Sequence, residues 1–229
     1  MSLKGLFNTR WPGVALFDLD GTLIDSVPDI AAAVDQTLQQ LGRSAAGQDA
    51  VRQWVGNGSA VLVRRALAGQ RNWESADPKK QELFNDALKI FYSNYEKVNG
   101  EQSVVYHGVR ECLAHLSANK CRMAVVTNKP HRFVAPLLEK MKLAQWFQLT
   151  LGGDSLPTLK PDPQPLLHAM GELKGTRGTT VMVGDSVTDV NAAQAAGIPI
   201  IAVRYGYNAG PRLETLGPQA VVDSLIELL

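Results

Sequence analysis

Apolar residues in this chain gather into short unbroken runs, separated by longer stretches with helical spacing. Val14–Phe17 is one such run and ends on Asp18. It reads as a buried strand that delivers a carboxylate at its C-terminal end. Similar runs recur at Met123–Val126, Leu149–Leu151, Val181–Val183 and Pro199–Val203, with a shorter one at Ala220–Val222. Between most of them, apolar residues repeat with a helical period, which predicts helices over Val109–Ser117, Arg132–Leu143, Pro163–Leu173 and Val187–Ala196. Strands alternating with helices predict an α/β fold, a doubly wound parallel sheet of Rossmann type. Such sheets bind ligands beyond the carboxyl ends of their strands.

One stretch interrupts the alternation. From Ser26 to Glu101 the pattern is helical throughout. Ser26-Val-Pro-Asp29 has the form of a capping box with an early proline, and Gly42 ends the helix it starts. Asp49–Val55 and Ser59–Ala68 predict two shorter helices flanking Gly56-Asn57-Gly58. Pro78–Val98 repeats Phe84, Leu88, Phe91, Tyr95 and Val98 at helical spacing, the pattern of a bundle core. The expectation is therefore a core formed by 1–25 and 102–229, and an all-helical cap domain, 26–101, inserted after the first strand. Linkers are expected near Asp25 and over 102–108.

Length and composition fit this division. At roughly 150 residues per domain, 229 residues fall between one domain and two. With 45% hydrophobic and 20% charged side chains, the chain can bury a sizeable core. Its 23 Lys+Arg balance 22 Asp+Glu, which argues against bulk electrostatic binding to nucleic acid. No run approaches the ~20 apolar residues that span a bilayer, and the N-terminal stretch carries no signal-peptide pattern. Cys112 and Cys121 form no CxxC pair, and the four histidines show no metal-ligand spacing. Two small buried thiols in a reducing compartment, the cytoplasm, are expected. Whether the protein is a monomer or a homodimer is left open by the sequence.

Candidate chemistry concentrates where the pattern places strand ends. The first strand runs into Asp18-Leu19-Asp20-Gly21-Thr22. Two carboxylates two residues apart at the mouth of a sheet repel each other. A bound dication relieves that cost, and Mg²⁺ prefers such oxygen ligands. Gly21 allows a turn that brings backbone close to a ligand. Val126 is followed by Thr127-Asn128-Lys129, offering a hydroxyl and an amide donor. Past Leu151 come Gly152-Gly153-Asp154 and then Lys160-Pro161-Asp162-Pro163, where prolines hold a cation just ahead of a helix. Val183 leads to Gly184-Asp185-Ser186-Val187-Thr188-Asp189, a second acidic pair. Together these strand ends offer a nucleophile, an acid/base, a hydroxyl donor, a cation and a metal carboxylate.

In these motifs the sequence resembles the haloacid dehalogenase superfamily of phosphohydrolases, from about Val14 to the C-terminus. Asp18-Leu-Asp20-Gly-Thr22 looks like its first motif, Thr127 its second, Lys160 its third, and Asp185 with Asp189 its fourth. The resemblance implies a helical cap between the first two motifs and hydrolysis of a small anionic phosphomonoester. It further implies that Asp18 attacks phosphorus, that Asp20 is the general acid and base, and that Asp18, the backbone carbonyl of Asp20 and Asp185 hold Mg²⁺. Thr127 and Asn128 would bind the phosphoryl oxygens, Lys160 would offset their charge, and Asp189 would orient Lys160 or a metal-bound water.

Within the superfamily, Asp20 speaks for phosphoryl transfer rather than dehalogenation. Between Ser26 and Pro78 there is no lysine, which argues against the phosphonate-cleaving branch and its cap Schiff base. Sugar-phosphate mutases share the core motifs. Phe17–Ser26, Trp54–Gly58, Val125–Pro130 and Tyr205-Gly-Tyr-Asn208 look most like the bacterial phosphoglycolate phosphatases. That likeness implies that Gly56, Asn57 and Gly58 read the organic part of the substrate, with Arg64 or Arg65 pairing with its carboxylate. A receiver-type signalling module also carries strand-end Asp, Thr and Lys. It places its acidic pair before the phospho-acceptor, however, and lacks both the cap and a base beside the acceptor.

Overall fold

The computed structural model describes residues 3–8, 10–70, 78–207 and 212–229. Among the described residues, β1 (Val14–Phe17), β4 (Arg122–Val126), β5 (Leu149–Leu151), β6 (Thr180–Gly184), β7 (Ile200–Val203) and β8 (Ala220–Val222) form one six-stranded sheet. Its order is β5-β4-β1-β6-β7-β8, with every neighbouring pair parallel. Each falls within a residue or two of an apolar run. The first strand is central, and all four of its residues are fully buried. Because side chains alternate along a strand, Ala15 and Phe17 enter one apolar cluster while Val14 and Leu16 enter the other. Helices α6 (Val109–Ala118) and α7 (Val134–Lys140) cover the Phe17 side, supplying Leu113, Leu116, Leu137 and Leu138. On the Leu16 side lie α8 (Gln164–Glu172) and α9 (Val187–Ala196), with Leu166, Val190 and Ala193. A sheet buried on both faces explains why its strands read as unbroken apolar runs.

Two local expectations are corrected. The helix expected over Arg132–Leu143 is a 3₁₀ turn at His131–Phe133 followed by the shorter α7. The stretch treated as linker contains β3 (Val104–Val105), which pairs antiparallel with β2 (Ile24–Asp25) in a small ribbon of its own. Two-residue strands leave no periodicity for a sequence pattern to reveal.

The chain divides into two compact units, residues 1–25 with 104–229 and residues 26–103. Among the described residues, the second unit holds α2 (Val27–Gln40), α3 (Gln48–Trp54), α4 (Ser59–Ala68) and α5 (Pro78–Val98). Along α5, Phe84, Phe91 and Tyr95 are buried, and the last two rings stack 5.6 Å apart, while Leu88 and Val98 are half-buried. The capping box expected at Ser26 does not form: its side chain makes no cap hydrogen bond. Asp29 reaches instead to the far end of the same unit. Its carboxylate accepts from the backbone N–H of Gly100 at 2.9 Å, Gln102 at 2.8 Å and Ser103 at 3.1 Å, and from the Ser103 hydroxyl. A fully buried carboxylate needs such donors, and those three amides supply more than the start of α2 could.

Both cysteines are buried free thiols, and burial pushes each up to about 12, so neither is reactive. No helix among the described residues is long and apolar enough to cross a membrane.

Candidate active site

The first strand ends abruptly. After Phe17, the carbonyl of Leu19 accepts from the N–H groups of Thr22, Leu23 and Ile24, turning the chain back at the edge of the sheet. Gly21 sits in that turn at φ 92°, in the left-handed region. A side chain there would also collide with Asp185. The tight turn delivers Asp18 and Asp20 to the C-terminal edge of the sheet, one on each side of Leu19. The two carboxylates then meet different surroundings.

Asp18 is 7% exposed and faces the loop between β5 and α8. From that loop Lys160, 2% exposed, places its ammonium 2.9 Å from Asp18 Oδ1 and 2.6 Å from Asp189 Oδ1. The approach to Asp18 is an ion pair without the direction of a hydrogen bond, and Asp18 Oδ1 accepts none. The amide of Asn128 donates to the Lys160 carbonyl at 2.9 Å and fixes the lysine's backbone. Asp189 lies in the first turn of α9. Its Oδ2 accepts from the Ser186 N–H at 3.1 Å and the Ser186 hydroxyl at 2.6 Å, completing a capping box. Both Asp189 oxygens are thus engaged, one on the helix cap and one on Lys160.

Asp185 follows β6 directly. Its Oδ1 accepts from the Thr22 hydroxyl at 3.1 Å, and its Oδ2 from the Tyr207 N–H at 2.6 Å. The backbone of Gly206 packs so closely on Asp185 that no side chain fits there. The phenol of Tyr205 donates to the Thr22 carbonyl at 2.7 Å and braces the same turn.

Asp18, Asp185 and Asp189 form a buried group whose carboxylate oxygens lie within 4.8 Å of one another. Lys160 pairs with two of these three carboxylates, Asp18 and Asp189. Burial raises Asp18 to about 6; Lys160 opposes that rise and Asp189 adds to it. Burial also raises Asp185 well above the carboxylate range, with Asp189 and Asp18 contributing. For Lys160, burial alone would lower the value, but Asp18 and Asp189 outweigh it and keep the amine charged. The surplus of buried carboxylate over ammonium charge, with Asp18 Oδ1 held by an ion pair alone, fits a hard divalent cation with oxygen ligands. Asp189 is paired with Lys160 and caps its helix, whereas the donors to Asp185, the Thr22 hydroxyl and the Tyr207 N–H, are neutral and leave its charge to a cation, so Asp18 and Asp185 are the carboxylates that suit it.

Asp20 stands apart from this cluster. Lys129, its side chain 2% exposed, approaches both Asp20 oxygens, at 3.0 and 3.2 Å. The Lys129 N–H also donates to the Thr127 hydroxyl oxygen at 3.2 Å. Thr127 and Asn128 are both buried at the end of β4. The residues expected at strand ends, Asp18, Asp20, Thr127, Asn128, Lys160, Asp185 and Asp189, therefore all lie in the core unit at the carboxyl edge of its sheet.

The expected organic-group residues lie in the helical unit. Gly56 and Gly58 have φ of 112° and 86° and flank Asn57 between α3 and α4. The Arg64 guanidinium sits over the Phe84 ring, 4.5 Å from its centre. Arg65 Nη1 donates to the Trp54 carbonyl at 2.6 Å, so the second arginine of the pair holds its own bundle together. Asn208 falls outside the described residues. Sequence reading gave no role to Lys129, Thr22, Ser186, Tyr205 or Tyr207. Lys129 had a usable signal, as a lysine at a strand end beside a hydroxyl. The others act on Asp185, on Asp189 or on the Thr22 turn, through contacts that only the fold creates.

A parallel α/β core with a buried carboxylate–lysine cluster at its strand ends defines a hydrolase of the haloacid dehalogenase type. Residues 15–203 match the model of the haloacid dehalogenase-like hydrolase family, and the chain belongs to that family. It is 48% identical to a phosphoglycolate phosphatase of Pseudomonas fluorescens over 228 residues, 100% of this chain and 82% of that one. It is 47% identical to phosphoglycolate phosphatase 1 of Pseudomonas aeruginosa, over 97% of this chain and 80% of the relative. A solved structure of a predicted phosphoglycolate phosphatase from Haemophilus somnus superposes with a TM-score of 0.81 at 32% identity. That match covers 94% of this chain and 96% of the other.

Proposed function

We propose that this protein is a Mg²⁺-dependent phosphomonoester hydrolase of the cytoplasm that converts 2-phosphoglycolate to glycolate and inorganic phosphate. One observation carries the reaction class: two carboxylates two residues apart are each held by a different buried lysine. Asp18 lies in the acidic cluster with Lys160, whereas Asp20 is paired separately with Lys129. Separate partners leave the two carboxylates free for separate roles, one for attack and the other for proton transfer. The substrate reading is supported by the activity named for relatives that match nearly the whole chain.

In this reading an Asp18 oxygen attacks phosphorus, the ester P–O bond breaks and an aspartyl-phosphate forms. Asp20 gives a proton to the departing alkoxide. It then takes a proton from the water that cleaves the aspartyl-phosphate, releasing phosphate and restoring Asp18. Thr127 accepts from the Lys129 N–H, which supports turning its own proton toward a phosphoryl oxygen. Asn128 assists by holding the Lys160 backbone, and Lys160 offsets charge on Asp18 and the phosphoryl group. Asp189 positions Lys160. Asp18, the Asp20 carbonyl and Asp185 would hold Mg²⁺, which would supply charge neutralisation at the phosphoryl group.

Residues 26–101, inserted between the first two motifs, supply the residues that select the substrate. Gly56, Asn57 and Gly58 read the small organic group, and Arg64 offers its N–H edge to the substrate carboxylate while its face rests on Phe84. The test is a kcat/KM panel over small phosphomonoesters and sugar phosphates, with and without Mg²⁺. Preference for 2-phosphoglycolate, with loss of turnover in EDTA, is expected. Preference for a sugar phosphate would overturn the substrate assignment, and metal-independent turnover would overturn the mechanism. Replacing the Gly56–Gly58 loop should change the 2-phosphoglycolate preference more than hydrolysis of an activated aryl phosphate. Equal losses would make the loop structural.

A further inference from the structure

We propose that Lys129 is a positioning residue that holds Asp20 for proton transfer and, through its backbone, couples Asp20 to the Thr127 hydroxyl. The inference rests on the phosphohydrolase reading given above. Lys129 is 5% exposed, an unusual place for a lysine, because burying an ammonium is costly unless a counter-charge faces it. The counter-charge is Asp20, contacted at both oxygens.

A carboxylate on a single Cβ can rotate, and a proton-transfer group loses its value when its oxygens wander by an ångström. One ammonium reaching both oxygens fixes the carboxylate plane. It uses one acceptor position on each oxygen of the roughly four that a carboxylate has. The same residue's N–H holds the Thr127 oxygen at 3.2 Å. One residue therefore sets two groups, the Asp20 carboxylate and the Thr127 hydroxyl. Lys160 cannot replace it, because its ammonium is committed to Asp18 and Asp189.

A structural lysine and a positioning lysine differ in what their loss does to leaving-group dependence. An alkoxide leaves poorly without a proton, whereas p-nitrophenolate leaves without one. Lys129→Met should therefore lower kcat/KM for 2-phosphoglycolate, or for whichever alkyl phosphomonoester the wild type hydrolyses, by ~30-fold or more. For p-nitrophenyl phosphate the loss should stay within ~3-fold. Lys129→Arg, which keeps a cation able to meet both oxygens, should restore much of the alkyl-ester activity. In Asp20→Asn, adding Lys129→Met should change kcat/KM little further, since the lysine acts through Asp20. That double variant removes both charges together and carries the test should Lys129→Met alone fail to fold.

Equal losses for alkyl and aryl esters would overturn the proposal, as would a full additional loss in the double variant. A wild-type enzyme inactive on every phosphomonoester would instead overturn the functional reading beneath it.

Discussion

The Lys160 ammonium lies 2.6 Å from Asp189 Oδ1 and 2.9 Å from Asp18 Oδ1, so one buried cation joins a carboxylate at the end of β1 to one in the first turn of α9. The two acids are far apart in the chain, and a lysine from a third strand-end loop holds them together. Asp189 also caps its helix through Ser186. Asp189→Ala should therefore cost stability twice, by taking one of two counter-charges from a buried ammonium and by removing a cap, about 2 kcal/mol in urea unfolding. Activity should fall as well, because Lys160 loses its second anchor. Wild-type stability in this variant would show that Asp189 is dispensable to the cluster.

Asp18→Asn should reduce phosphomonoester turnover by at least ~10⁴-fold with the fold retained, since an amide is a poor nucleophile. Retention of fold is read by circular dichroism, and turnover by phosphate release.

The same substitution should alter how stability depends on pH. Burial raises Asp18 to about 6, so the folded metal-free protein favours the protonated form relative to the unfolded chain. The stability contributed by that proton is complete below the ordinary value of 3.8 and is lost as pH rises through about 6. Thermal midpoints of the metal-free wild type should contain a component that declines across this window, worth at most about 3 kcal/mol. Asp18→Asn should lack that component. An identical pH dependence in both proteins would refute the assignment.

Mg²⁺ should stabilise the protein most where its carboxylates are ionised. At pH 7.5 and about 100 times its Kd, Mg²⁺ adds about 2.7 kcal/mol, a rise of roughly 5–10 °C in Tm. At pH 5, below the raised value for Asp18, the gain should shrink because protons compete for the same oxygens. Asp185→Asn should reduce the gain at both pH values, measured by differential scanning fluorimetry.

Asp29 offers a test away from the chemistry. Asp29→Ala leaves three backbone N–H groups and the Ser103 hydroxyl without their acceptor at the end of the helical unit. A loss of about 3 kcal/mol is expected, against about 1 kcal/mol for Ser103→Ala. Thermal unfolding of the two variants checks the order.

The sequence by itself determined the sheet and which polar residues stand along its carboxyl edge. A strand buried on both faces must be written as an unbroken apolar run, and a parallel sheet must present its carboxyl ends to ligand. Val14–Phe17 and Val181–Val183 thereby announced both themselves and the carboxylates that follow them. The motif residues Asp18, Asp20, Thr127, Lys160, Asp185 and Asp189 were legible on that ground. The tertiary structure alone decided their partners. Nothing local to Ser26-Val-Pro-Asp29 indicates that its acid serves residues 100–103 rather than its own helix, because the competing donors are supplied by the other end of the unit. Nothing within Thr127-Asn128-Lys129 indicates that the lysine meets Asp20, since that contact exists only once β4 pairs beside β1. Periodicity records which face of an element is buried. Which charges meet across a site is set by strand order and register, and these depend on the folded whole.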